Sequence, residues 1–150
     1  MIRKGKSMGF WQQLTGSEKY IPPGWGTTEL ILAVAGGNLG EVQALLNRGA
    51  DVNKKNKEGS TAFTIAYGTG NIRMMELLLV NGADVNEKLN DGFTALMWAS
   101  SKGQQEVVKF LLAKGADVNA KMSNGNTALG YASQNDHQNI KELLFKAGAK

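Results

Sequence analysis

The residues best suited to chemistry are few. The single histidine, His137, follows Asp136 and has serines nearby. An imidazole, a carboxylate and a hydroxyl are the parts of a nucleophilic triad. Adjacent residues on one helix point in different directions, so this pair cannot relay a proton as a triad does. His137 therefore reads as structural. Asp51, Asp84 and Asp117 could offer oxygen ligands to a cation. Calcium needs several such ligands converging, and no loop has the EF-hand pattern. These aspartates are expected to accept hydrogen bonds within turns. Gly36-Gly37-Asn38-Leu39-Gly40 and Gly24-Trp25-Gly26 are glycine-rich, but neither follows a strand in a βαβ unit. Phosphate cradling is not expected of them. The expectation is a chain that is not an enzyme, with no catalytic residue, no cofactor and no metal.

Composition agrees with an ordinary globular chain. It has 150 residues, 42% of them hydrophobic and 20% charged, with nineteen glycines and two prolines. That length suits one domain or one short repeat array. There is no cysteine, which excludes disulfides, thiolate metal sites and thiol nucleophiles. This fits a reducing compartment, and a cytoplasmic location is expected. No apolar run is long enough for a membrane span, and the basic N-terminus lacks the apolar stretch of a signal peptide. The formal charge is +4. Arg3, Lys4, Lys6 and Lys19 against Glu18 place +3 of it in residues 1–23. The remaining body is near neutral, so nucleic acid is not an expected partner.

The elements that position these residues repeat. Gly-Ala-Asp-Val-Asn occurs at 49–53, 82–86 and 115–119, in steps of 33, and Gly148-Ala149 continues the series. The same step relates Gly26, Gly59, Gly92 and Gly125. It relates Thr28, Thr61, Thr94 and Thr127, and also Ala33, Ala66, Ala99 and Ala132. The leucine pairs 45–46, 78–79 and 111–112 are followed by Leu144-Phe145. Such self-similarity marks a stacked-repeat architecture. Each unit reads as turn, helix, turn, helix. In the third unit, Asn90-Asp91-Gly92 is a turn and Thr94 caps a helix start. Gly103 breaks that helix, and residues 105–114 have apolar positions at helical spacing. Gly115 ends the second helix, and Ala116 to Asn119 is expected to be extended. A unit this short cannot bury its own apolar face, so it must stack on its neighbours. The small alanines allow close helix approach, and the leucine pairs are expected to fill the seam.

This combination of Gly-x-Thr-x-Leu, alanine, glycine, Leu-Leu and Gly-Ala-Asp-Val-Asn resembles the ankyrin repeat over about residues 24–150. The resemblance implies an all-α solenoid with short β-turn tips. Its units are 24–55, 56–88, 89–121 and 122–150, preceded by an N-terminal extension at 1–23. The family commonly has Thr-Pro-Leu-His where this chain has Thr28-Glu29-Leu30-Ile31, Thr61-Ala62-Phe63-Thr64, Thr94-Ala95-Leu96-Met97 and Thr127-Ala128-Leu129-Gly130. Every copy lacks the proline and the histidine, and with the histidine go hydrogen bonds that tie neighbouring turns. Asp136 replaces the glycine found at 37, 70 and 103, and His137 follows it where the family often has histidine. The fourth unit is expected to be a C-terminal cap.

The resemblance also implies a function: binding another protein through a concave face made of turn tips and first helices. The residues expected to make contact are Trp25, Lys57, Glu58, Ser60, Tyr67, Asn90, Asp91, Phe93, Lys102, Ser123, Asn124 and Asn126. Phe93 stands where Thr27, Ser60 and Asn126 are polar, so it is either a binding anchor or packing for a neighbouring tip. Leu89 and Met122 would make their tips stickier, and Trp98 is expected in the core. The partner is another protein, and the chain is expected to be a monomer. Phe10, Trp11 and Leu14 read as an end cap, as a membrane- or partner-docking segment, or as part of a disordered tail. Membrane contact is expected only through residues 1–20.

Overall fold

The computed structural model describes the backbone of residues 26–150 and the side chains from residue 29 onward. Expectations for the extension and for Trp25 lie outside these residues. The described chain is all-α, built from four helix pairs. The pairs are α1 (Gly26–Ala35) with α2 (Leu39–Asn47), and α3 (Ala62–Thr69) with α4 (Ile72–Val80). Then come α5 (Ala95–Lys102) with α6 (Gln105–Ala113), and α7 (Ala128–Gln134) with α8 (Gln138–Lys146). Helices α1, α3, α5 and α7 pack in sequence as an inner layer, each backed by its own outer helix.

Local chemistry sets where each helix begins and ends. The hydroxyls of Thr61, Thr94 and Thr127 accept the amides of Thr64, Met97 and Gly130 at 3.3, 3.3 and 3.1 Å. Each satisfies one of the orphan donors of an inner-helix start. The second helix closes with a Schellman motif in every unit. In the third, the Ala116 amide donates to Leu111 O at 3.0 Å and the Gly115 amide to Leu112 O at 3.1 Å. This needs a left-handed residue at Gly115, whose φ is +92°. The sequence expectation of an extended run beyond it is corrected. Val118 and Asn119 form a turn, because Asp117 Oδ1 accepts the Asn119 amide at 3.0 Å. Asp51 and Asp84 do the same for Asn53 and Asn86, at 3.0 and 2.8 Å. The three aspartates are turn acceptors, as expected.

The core lies between the helix layers. Ala66, Ala99 and Ala132 are completely buried, which lets the inner helices approach closely. The leucine pairs do not behave as equals, contrary to expectation. Leu45, Leu78, Leu111 and Leu144 are buried, while Leu46, Leu79 and Leu112 are half-buried. Phe145, the fourth counterpart of that second position, is 55% exposed.

Asparagines link one unit to the next. Asn53, Asn86 and Asn119 donate from Nδ2 to the carbonyls of Gly82, Gly115 and Gly148 at 2.9, 3.2 and 3.1 Å. Asn86 Oδ1 also accepts the Asp117 amide at 2.6 Å, and Asn119 Oδ1 the Lys150 amide at 3.1 Å. Asn86 thus makes two bonds to the next unit. Its replacement by alanine is expected to cost about 1–2 kcal/mol, a typical net value for two neutral bonds near solvent. Urea melts would check this, and an unchanged midpoint would show that water replaces both bonds.

The inter-helix turns predict two substitutions of opposite sign. Gly103 has φ +74°, and a Cβ there would come within 2.8 Å of the His137 ring. Gly103→Ala is expected to destabilise by about 1–3 kcal/mol. Asp136 holds the equivalent turn at φ +58° with a side chain, exposed to solvent. Asp136→Gly is expected to stabilise by about 0.5–1 kcal/mol, since glycine meets no Cβ penalty there. Thermal melts of both variants would test the pair, and shifts of the same sign would contradict this account.

Candidate protein-binding surface

The tips are five-residue turns. In the third unit the Leu89 amide donates to Phe93 O at 3.0 Å and the Gly92 amide to Leu89 O at 2.8 Å. A polar side chain braces each turn, but its position moves. In the second unit Asn56 Oδ1 accepts the amides of Glu58 and Ser60, at 3.0 and 2.9 Å. Leu89 and Met122 occupy that position in the next two units; Leu89 has no acceptor, and the Met122 sulfur is taken by the Tyr131 hydroxyl. There the task passes to Asp91 Oδ1, which accepts the Phe93 amide at 3.1 Å, and to Asn124 Oδ1, which accepts the Asn126 amide at 3.0 Å. Asp91 and Asn124 are therefore turn-formers as well as exposed tip residues. Neighbouring tips are tied together: the Ser123 amide and hydroxyl both donate to Asp91 O, at 2.9 and 3.2 Å.

An aromatic cluster lies beside these tips. The Phe93 ring meets Tyr131 edge-on at 5.7 Å and Trp98 at 6.4 Å. The Tyr131 hydroxyl donates to Met122 Sδ at 2.9 Å. The Lys102 ammonium sits 4.9 Å from the centre of the Trp98 ring, a favourable cation–π placement. Phe93 thus packs on the neighbouring fourth unit through Tyr131, and on its own unit through Trp98. Trp98 is corrected from core to half-buried. Its register partners explain this: Leu32 is 47% exposed, and Ile65 and Tyr131 are half-buried. Together the four make an apolar stripe along the inner-helix layer, one residue from each unit.

The other expected contact residues divide. Lys57, Glu58, Asn90, Lys102 and Ser123 are exposed, and Ser60 and Asn126 are half-buried. Asn126 Oδ1 accepts the Thr127 amide at 3.2 Å. Tyr67 is withdrawn from the contact set, because it is only 3% exposed and packs edge-on against Phe63 at 5.7 Å. It shares a register with Val34 and Ser100, both buried. In the first three units that register faces into the helix layer, so a large side chain there fills the core, whereas Ser133 in the fourth is exposed.

Two residues bear on the missing family histidine. Thr64 holds that position in the second unit, and Glu87 reaches back to it from the end of the same unit. Glu87 Oε2 accepts the hydroxyls of Thr64 and Thr61 at 2.7 and 2.8 Å. Burial and this carboxylate push the Tyr67 phenol up to about 12. Sequence reading missed Glu87, whose counterparts Lys54 and Ala120 give no hint of it. His137 is structural: its Nε2–H donates to Ser101 O at 3.1 Å, joining the fourth unit to the third. Asp136 and His137 lie in the turn before α8 rather than on a helix.

Among the described residues, no three histidine, aspartate or glutamate side chains gather as a metal site. No described helix is long and apolar enough to cross a membrane. A comparison with curated proteins finds no match. A family model described as ankyrin repeats (3 copies) matches residues 10–88, 30–122 and 77–150. With these overlapping matches covering nearly the whole sequence, and helix pairs stacked at a 33-residue step, the chain belongs to the ankyrin-repeat family.

Proposed function

We propose that the chain binds another protein through its tips and the apolar stripe of its inner helices, mainly in the second to fourth units. Ankyrin repeats are generally protein-interaction modules, and the family is generally non-enzymatic. The observation that carries the reading is the stripe itself. Leu32, Ile65, Trp98 and Tyr131 keep apolar surface in contact with solvent although they belong to a layer that otherwise buries it. Aromatic side chains in a rigid setting lose little entropy on binding and are enriched among energetic anchors. Exposed Lys57, Glu58 and Asn90 frame them with polar groups, as the rim of an interface requires.

The test is capture of a partner from lysate of the source cell by the full chain. Asn90→Arg with Lys102→Glu alters the tip side at exposed positions. Arg73→Glu with Lys109→Glu alters exposed positions on the outer helices. Thermal melts would establish that all variants stay folded. Loss of the captured protein by the first pair alone is expected. Loss by the second pair alone would place binding on the outer helices and overturn the assignment.

A further inference from the structure

We infer that the partner presents an extended acidic segment carrying an apolar residue, laid along a row of lysines beside the tips. This deepens the binding reading above and rests on it. Lys55, Lys88 and Lys121 recur at the repeat step, each just before a tip. All three are exposed, and none forms an ion pair with a described residue. Lys54 and Lys57 lie within two residues of Lys55, Lys102 sits over the Trp98 ring, and all three are exposed as well. Three carboxylates accompany these six lysines: Glu58, Glu87 and Asp91. Glu87 is engaged by two threonine hydroxyls and Asp91 by the Phe93 amide.

The rest of the array has the opposite balance. Beyond these nine side chains, residues 24–150 carry seven cations and nine carboxylates, among them Asp51, Asp84 and Asp117, each of which accepts an amide of its own turn. The small positive charge of the body is therefore not diffuse. It is gathered at and beside the tips, and Lys102 joins it to the aromatic cluster through the Trp98 ring. Such a field speeds encounter with an acidic partner and disfavours a basic one.

Geometry defines the segment further. Packed helices lie about 8–10 Å apart, so equivalent lysines rise by about that distance per unit. A chain in the polyproline II conformation advances about 3.1 Å per residue, covers one unit in about three residues and returns every third side chain to the same face. Carboxylates at every third position would meet successive lysines. An apolar side chain between them would reach Phe93, Trp98 and Tyr131. Nucleic acid is the poorer fit. Its binding rests on a broad basic face, and residues 24–150 carry a net charge of only +1, thirteen cations against twelve carboxylates.

The test is selection of peptides from a random extended-peptide library on the full chain, followed by fluorescence anisotropy with the selected peptides in solution. The comparison chain carries Lys55→Glu, Lys88→Glu and Lys121→Glu, with folding verified by circular dichroism. The expected peptides have aspartate or glutamate at about every third position and one aromatic or aliphatic residue. Their affinity should fall at least about tenfold in the charge-reversed chain and weaken as salt is raised. Peptides without acidic enrichment, peptides that bind both chains equally, or a library yielding no binder would overturn the inference. Acid-free peptides that are still lost on Asn90→Arg would leave the binding surface intact and refute only its acidic partner. Acid-free peptides that survive both changes would refute both. Phosphatidylserine vesicles and a single-stranded oligonucleotide serve as alternative probes. Tighter lysine-dependent binding to either would reassign the row to a polyanion.

Discussion

Truncating Phe63 to alanine is expected to lower stability by about 3–5 kcal/mol, the usual cost of removing a fully buried aromatic ring. Phe63 is 1% exposed, near the start of α3, with its ring edge-on to Tyr67. The loss has two parts: the transfer energy of the ring and the cavity left where α3 cannot collapse. Collapse is restricted here because α3 packs against α1, α4 and α5 together. A domain has roughly 5–15 kcal/mol of total stability, so the change removes a large share. Because repeat stability is a sum of neighbouring interfaces, the damage should also be local. Hydrogen exchange should speed most in α1 to α4 and less in α7 and α8. Phe145→Ala is the control, since that ring is already mostly in water, and it should shift stability by less than about 0.5 kcal/mol. Comparable losses from the two variants would contradict the packing described.

The period made the fold readable because each recurring residue answers a recurring local need. Gly115 must be left-handed, Thr94 must accept an amide, and Ala99 must let a helix approach. None of these depends on a distant unit. What sequence reading missed depends on which register the packing covers and on which side chain takes over a bond inside a turn. Tyr67 was expected at the surface because it sits near a helix end, yet its register faces the layer interior. Trp98 was expected in the core because its counterparts are apolar, yet that register is the one left half-covered. The bracing of the tips migrates from Asn56 to Asp91 and Asn124 because Leu89 lacks an acceptor and the Met122 sulfur is taken by Tyr131. The signal for Asn53, Asn86 and Asn119 was present, since they recur with the motif. Only the structure gives their partners, 29 and 31 residues away.

Glu87 and Tyr67 supply the second large effect, one that depends on pH. Glu87→Ala should cost about 2–3 kcal/mol, because it strips a charged acceptor from the hydroxyls of Thr61 and Thr64. Thr61 is buried, so its hydroxyl would be left without that acceptor. Tyr67 reports the same region. Its phenol ionises near 12 rather than 10, first because it is buried and then because Glu87 opposes a second negative charge. The unfolded chain loses this proton from about pH 10 upward, while the folded chain keeps it until about pH 12. Across that window the unfolded state binds fewer protons, so stability falls as pH rises. The contribution is fully present below pH 10, and about 2–3 kcal/mol of it is lost by pH 12. Tyr67→Phe should flatten this part of the alkaline decline without moving stability at neutral pH by a similar amount. Glu87→Gln keeps the side-chain shape and removes the charge, so the Tyr67 transition should move down only in part, with burial still holding it above 10. Ultraviolet phenolate titration, taken as the difference from Tyr67→Phe, would follow it. A complete return to 10 in Glu87→Gln would mean that charge, not burial, sets the phenol, and that the ring is wetter than its packing on Phe63 implies.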